Sequence, residues 1–221
     1  MKTDFSLFCT LLLLITGCTP APTINTSPYP VNLEADEFYQ QAVSLSESYD
    51  VDSTQLSIIL LDLALQIDSM NPEYHGFKAK LMIELGNLDE ALELQQKADS
   101  IGVINGEYLF QLGLLQAAKD RELDAKSSFK RSLEYQEALL KEYPDSFQIY
   151  LMRQAALACY HENDSLFMPD RDYVRKRFPN NLLDITMSKG LKPSNLIKQI
   201  KSLQETDWDY TEDQINNSPE N

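Results

Sequence analysis

The side chains able to do chemistry are few, and their spacing is poor for it. The chain has two histidines, His75 and His161, and three cysteines, Cys9, Cys18 and Cys159. Cys159 and His161 stand two residues apart in Cys-Tyr-His-Glu-Asn-Asp (159–164). A thiol–imidazole pair needs the two side by side, but on a helix, at ~100° per residue, they point ~200° apart. That stretch reads as a helix end followed by a polar turn, with Cys159 a small buried hydrophobe at the end of Ala-Ala-Leu-Ala-Cys-Tyr. No glycine-rich phosphate loop, HExxH or GxSxG occurs. Asp62, Asp68, Asp89, Glu90 and Glu93 lack the alternating oxygen ligands and glycine of a calcium loop and read as a solvated acidic face. The basic run Arg171, Arg175, Lys176 and Arg177 is either a phosphate- or headgroup-binding patch or charge balance near the C-terminal end of a short helix. The expectation is a binding protein: no enzyme, no cofactor, no metal.

Cys18 is the exception, because its position implies a chemistry. Residues 5–16 form an apolar run of only ~12 residues, where a spanning helix needs ~20. Lys2 precedes the run and small residues close it, which is the layout of a secretory signal peptide, so residues 1–17 are set apart from the fold. The closing Ile15-Thr16-Gly17-Cys18 resembles the bacterial lipobox. That resemblance implies cleavage before Cys18 and a diacylglycerol thioether on its sulfur, often with an acylated amino terminus. Two or more chains, at about 0.8 kcal/mol per buried CH₂, anchor a protein stably without a span. Thr19 and the residues after it carry neither an Asp-type inner-membrane retention signal nor an acidic export run, so the expected location is the bacterial envelope, lipid-anchored at the outer membrane and facing the periplasm. Residues 18–32 carry four prolines and read as an extended tether. The net charge of −15 argues against nucleic acid as a partner. Once Cys9 leaves with the signal and Cys18 carries lipid, Cys159 has no cysteine to pair with.

The elements behind these residues come from a period of 34. Ser57, Ala91 and Ala125 keep it, as do Ala64, Ala98 and Ser132; Leu45, Ala79 and Gly113; and Asp52, Gly86 and Asp120, read as turn residues. Small residues seven apart mark close approaches on one helix face. In "ELGNLDEAL" (84–92) and "AKDRELDAK" (118–126) one helix breaks and Asn87 or Asp120 caps the next. Each unit is then an antiparallel helix pair. The chain resembles the tetratricopeptide repeat (TPR) family, most clearly over 106–134, where Leu109, Leu112-Gly113, Ala125 and Phe129 match the signature, and next over 72–99, where Lys78 and Gln95 replace apolar residues.

The expected fold is all-α, a TPR-like solenoid over 33–205. Its repeats fall at 38–71, 72–105 and 106–142, with a degenerate fourth at 145–178 that includes helices 146–161 and 169–178. Leu196, Ile200 and Leu203 share one face of a capping helix, 192–205, which covers the last apolar face. An acidic tail, 206–221, is expected to be disordered. Lipobox, tether and repeats together look like the TPR lipoproteins of the outer-membrane barrel-assembly machinery, whose Tyr-Pro-x-Ser junction matches Tyr143-Pro144-Asp145-Ser146.

In the TPR family the first helix of each pair lines a concave groove. Carried through the register, that face is Tyr39 and Tyr49, then Lys80, Ile83 and Glu84, then Phe110 and Leu114. Members that clamp a terminal carboxylate use Lys, Asn and Arg there; this chain has Ala42, Ser46, Phe77, Glu107 and Gln111. The resemblance therefore implies an adaptor or scaffold holding an extended or helical protein segment. Two other readings stand beside it. One is a lipoprotein binding a glycan or other solute, if Tyr39, Tyr49 and Phe110 converge. The other is an immunity-type lipoprotein whose acidity neutralises a basic toxin.

Overall fold

The computed structural model describes residues 32–48, 50–102, 106–163, 166, 176–178 and 193–204. The expected signal peptide, Cys18, most of the expected tether, Tyr49, Arg171, Arg175 and residues 206–221 lie outside the described residues. Among the described residues the chain is all-α, in helices α1 (Leu33–Ser46), α2 (Val51–Ile67), α3 (Pro72–Glu84), α4 (Leu88–Ile101), α5 (Gly106–Ala118), α6 (Glu122–Glu142), α7 (Phe147–Tyr160) and α8 (Pro193–Gln204). No helix among them is long and apolar enough to cross a membrane.

Local chemistry starts α1, α2, α3 and α7. Asn32 accepts from the Glu34 and Ala35 amides, Asp50 from that of Ser53, Asn71 from that of Glu73 just ahead of Pro72, and Ser146 from that of Ile149. The first pair begins at Leu33, ahead of the residue 38 that the register marks. Two expected turn residues behave as such: Gly86 and Asp120 adopt positive φ, 77° and 57°. Asp52 does not, because Asp50 caps the helix and Asp52 lies in its first turn. Nor does Asp120 cap α6. Arg121 stands at that position and pairs with Asp124, while Asn87 caps α4 without a side-chain bond to the backbone.

The pairs α1–α2, α3–α4 and α5–α6 pack in succession, each joined to the next through its second helix, with α7 against the long α6. This is a TPR-like α-solenoid. The small-residue columns sit at the close approaches: Ser57, Ala64, Ala91, Ala98, Ala125 and Ser132 are all buried. Where the small residue is serine its hydroxyl finds a partner across the pair, Ser57 donating to Ala42 O at 3.0 Å and Ser132 to Gly106 O at 2.6 Å.

The two departures from the repeat signature are also paired. Buried Lys78 reaches Asp62 of α2 at 2.7 Å and Glu90 of α4 at 3.3 Å. Buried Gln95 donates to Tyr108 O at 3.0 Å and Gln111 Oε1 at 3.2 Å. Each polar residue thus ties neighbouring helices together.

The helix expected as a cap packs across several helices of the stack and not on its last helix alone. α8 packs chiefly on α5, with α7 and α4 beside it. α6 packs on both α5 and α7 as well. The physical reason for the place of α8 is its stripe: Leu196 and Ile200 are buried in the same apolar cluster as Ile83, Phe110 and Leu114. The end face is served by Phe178, whose ring meets Phe147 at 5.3 Å and Tyr150 at 5.4 Å, while Arg177 pairs with Asp145 at 2.7 Å.

Candidate functional site: the inner face of α1, α3 and α5

Tyr39, Glu73 and Glu107 recur at intervals of 34, so the repeat puts them at one position of three successive first helices. All three side chains are half-buried. The Tyr39 ring lies 5.1 Å from that of Tyr74 and edge-on to Phe77 at 5.7 Å. Its hydroxyl donates to the Glu73 carboxylate, which draws down a pKa that burial raises. Burial, and then the nearby Glu73 and Asp36 charges, push the Tyr39 phenol well above its ordinary value, so it stays a donor.

Two turns along α3, Lys80 holds its ammonium 5.7 Å from the centre of the Phe77 ring. Its charge favours the ionised forms of both Glu84 and Glu107, yet burial outweighs it at each. The Glu84 carboxyl is pushed up to about 7, and that of Glu107 is also raised. Glu107 accepts from Gln111 Nε2 at 3.2 Å, extending the chain that begins at Gln95. Gly76 of α3 leaves room for the Tyr108 ring of α5, since a Cβ there would stand 2.5 Å from it.

The expected groove residues therefore divide. Tyr39, Lys80 and Glu84 line a half-open surface with Glu73, Glu107 and Tyr108. Ile83, Phe110 and Leu114 are 1%, 1% and 3% exposed and belong to the core; Phe110 rests on Phe129 at 5.7 Å. The sequence reading missed Glu73 and passed over Glu107, although stepping 34 residues from Tyr39 reaches both. Burial of Phe110 and Leu114 had no such signal, since it comes from the assembled cluster that Phe129 of α6 and Leu196 and Ile200 of α8 also join.

The other titratable candidates are structural in placement. Cys159 is buried in α7 while His161 is exposed just past its end. His75 Nε2–H donates to Ser69 O at 2.9 Å, and burial lowers the ring's pKa. Asp62 and Glu90 serve Lys78, and Asp89 pairs with Lys119. Among the described residues, no group of three or more His, Cys, Asp or Glu side chains is placed to hold a metal ion.

What the surface offers is a donor phenol, three carboxyl groups that burial makes poor anions, and one cation. A guest bringing positive charge or hydrogen-bond donors restores to those carboxylates the solvation they have lost. No family model and no curated protein matches the chain, so the reading of this surface rests on its own geometry and chemistry.

Proposed function

We propose that the chain is a lipid-anchored adaptor of a bacterial cell envelope, tied to the outer membrane through Cys18 and holding a segment of a protein partner against the inner face of its solenoid, on the periplasmic side. The observation that carries this reading is the column Tyr39, Glu73, Glu107, half-buried on the first helices of three successive pairs with Lys80 and Glu84 beside it. An extended segment with basic or amide-bearing side chains, crossing from α1 to α5, suits that column. The solute-binding reading gains nothing, because Tyr39 stacks on Tyr74 and Phe77 whereas Phe110 is buried against Phe129. The overall acidity favours a basic partner without singling out a toxin.

Two measurements test the proposal. Cys18→Ser should move the protein from the membrane to the soluble fraction; if it stays with the membrane, the anchor is wrong. Proteins co-isolated from detergent-solubilised envelopes should differ between wild type and Glu73→Gln/Glu107→Gln, which removes charge but little volume. Unchanged capture by the double variant would reject the surface. Alanine at Phe110 and Leu114 is unsuitable, since both are core residues.

A further inference from the structure

A second face, formed by α5, α7 and α4, is apolar, and a helix already covers it. Leu196 and Ile200 of α8 are 3% and 2% exposed, in one apolar cluster with Ile83, Phe110 and Leu114. Ile197 and Leu203 flank them, partly buried. At the rim, Lys201 Nζ meets Asp120 Oδ1 at 2.7 Å; Asp120 is the positive-φ residue of the α5–α6 turn. Both side chains of that pair are well exposed, so it sets register more than affinity.

One part of the fit is poor. Among the described residues, Gln199 Oε1 is buried with no hydrogen-bond partner. A side-chain carbonyl that has lost water and gained no donor works against the seated state. α8 therefore covers this face without being its best occupant.

We propose that the face formed by α5, α7 and the start of α4 is a helix-binding site, which α8 occupies in cis and from which a partner's amphipathic helix displaces it. The matching partner helix carries apolar residues at i, i+4 and i+7, as Leu196, Ile200 and Leu203 do, a lysine at i+5 to meet Asp120, and an apolar residue where this chain has Gln199. The proposal extends the reading of the inner face as a docking surface, but on different residues and with a helix in place of an extended segment. A tethered competitor lowers apparent affinity by the fraction of time it leaves the site open, so any change that unseats α8 should tighten binding of a helix added in trans.

The probe is a fluorescein-labelled peptide with the sequence of residues 192–205, titrated against the full chain by fluorescence anisotropy. Leu196→Asp/Ile200→Asp in the chain should bind it at least tenfold more tightly than wild type. Gln199→Leu in the chain, which removes the orphaned carbonyl and seats α8 more firmly, should weaken binding at least threefold; the same change in the peptide should strengthen it. Glu73→Gln/Glu107→Gln should leave peptide binding unchanged, so failure at the surface of Tyr39, Glu73 and Glu107 and failure here are told apart. If the aspartate variant loses helicity by circular dichroism, the two Gln199→Leu measurements decide. Equal binding of a scrambled peptide, or Gln199→Leu acting in the same direction in chain and peptide, overturns the proposal.

Discussion

Glu84 is a half-buried carboxyl whose pKa burial raises from 4.5 to about 7 against the pull of Lys80. A raised folded-state pKa means that the neutral acid suits the fold. Its favourable contribution is complete below about pH 4.5 and is lost as pH rises through about 7. Glu84→Gln should therefore stabilise the protein at pH 8 by roughly 1 kcal/mol after allowing for solvent screening, and should do little at pH 4, as read from urea melts. An equal effect at both pH values would show that charge is not the cause. His75 acts in the opposite sense: burial lowers its pKa from 6.5, so its contribution is complete above that value and lost as pH falls below it. Both residues could be found in the sequence, but neither shift could. Desolvation depends on what the neighbouring helices bring alongside, and in the chain order Glu84 is simply a charged residue near a helix end.

At the scale of the element, glycine and serine in the repeat columns report how closely two helices meet. A Cβ on Gly113 would stand 2.6 Å from the Phe129 ring, which is buried against Phe110. Alanine gains up to about 1 kcal/mol in helix propensity but overpacks a core at a cost of about 1–3 kcal/mol. Gly113→Ala should thus destabilise by about 1 kcal/mol net. Gly76→Ala meets Tyr108, a half-buried ring that can swing outward, so the two terms should nearly cancel. Equal thermal shifts for the two variants would refute this account. Lys78 is a different kind of close contact. Lys78→Ala leaves Asp62 and Glu90 without their shared cation and a gap between α2, α3 and α4, for a loss of about 2–3 kcal/mol. Lys78→Met, which keeps the volume, should lose less. The repeat period located these helices in advance, and even the departures at Lys78 and Gln95 marked places where polar pairs join them.

Across the whole molecule the apolar interior falls into two clusters. One joins α1 and α2 to Tyr74, Phe77 and Leu81 of α3. The other runs from Met82 and Ile83 of α3 through α4–α7 to Phe178 and α8. α3 serves both, and the α2–α3 contact that joins the first pair to the rest is much slighter than the contacts within the pairs. In a solenoid each pair depends on its neighbours, so the end with the smaller core should open first. Native-state hydrogen exchange should find the slowest amides of α5 and α6 exchanging at least tenfold more slowly than those of α1. Uniform protection would mean that both clusters unfold as one cooperative unit.

The helices, their pairing and the register that aligns Tyr39, Glu73 and Glu107 were all legible in the order of residues. Helix caps, prolines and a 34-residue spacing of small residues are local signals, and each acts on neighbours within a few tens of residues. Which part of the inner face stays open was settled by tertiary packing alone. Residues 193–204 lie about eighty positions from Phe110 and Leu114, and no local pattern records which apolar stripe an amphipathic helix will cover. Burial of apolar area is non-directional, so the choice belongs to the assembled surface: α8 settles on α5, with α7 and α4 beside it, and its Leu196 and Ile200 join the apolar cluster that holds Phe110 and Leu114.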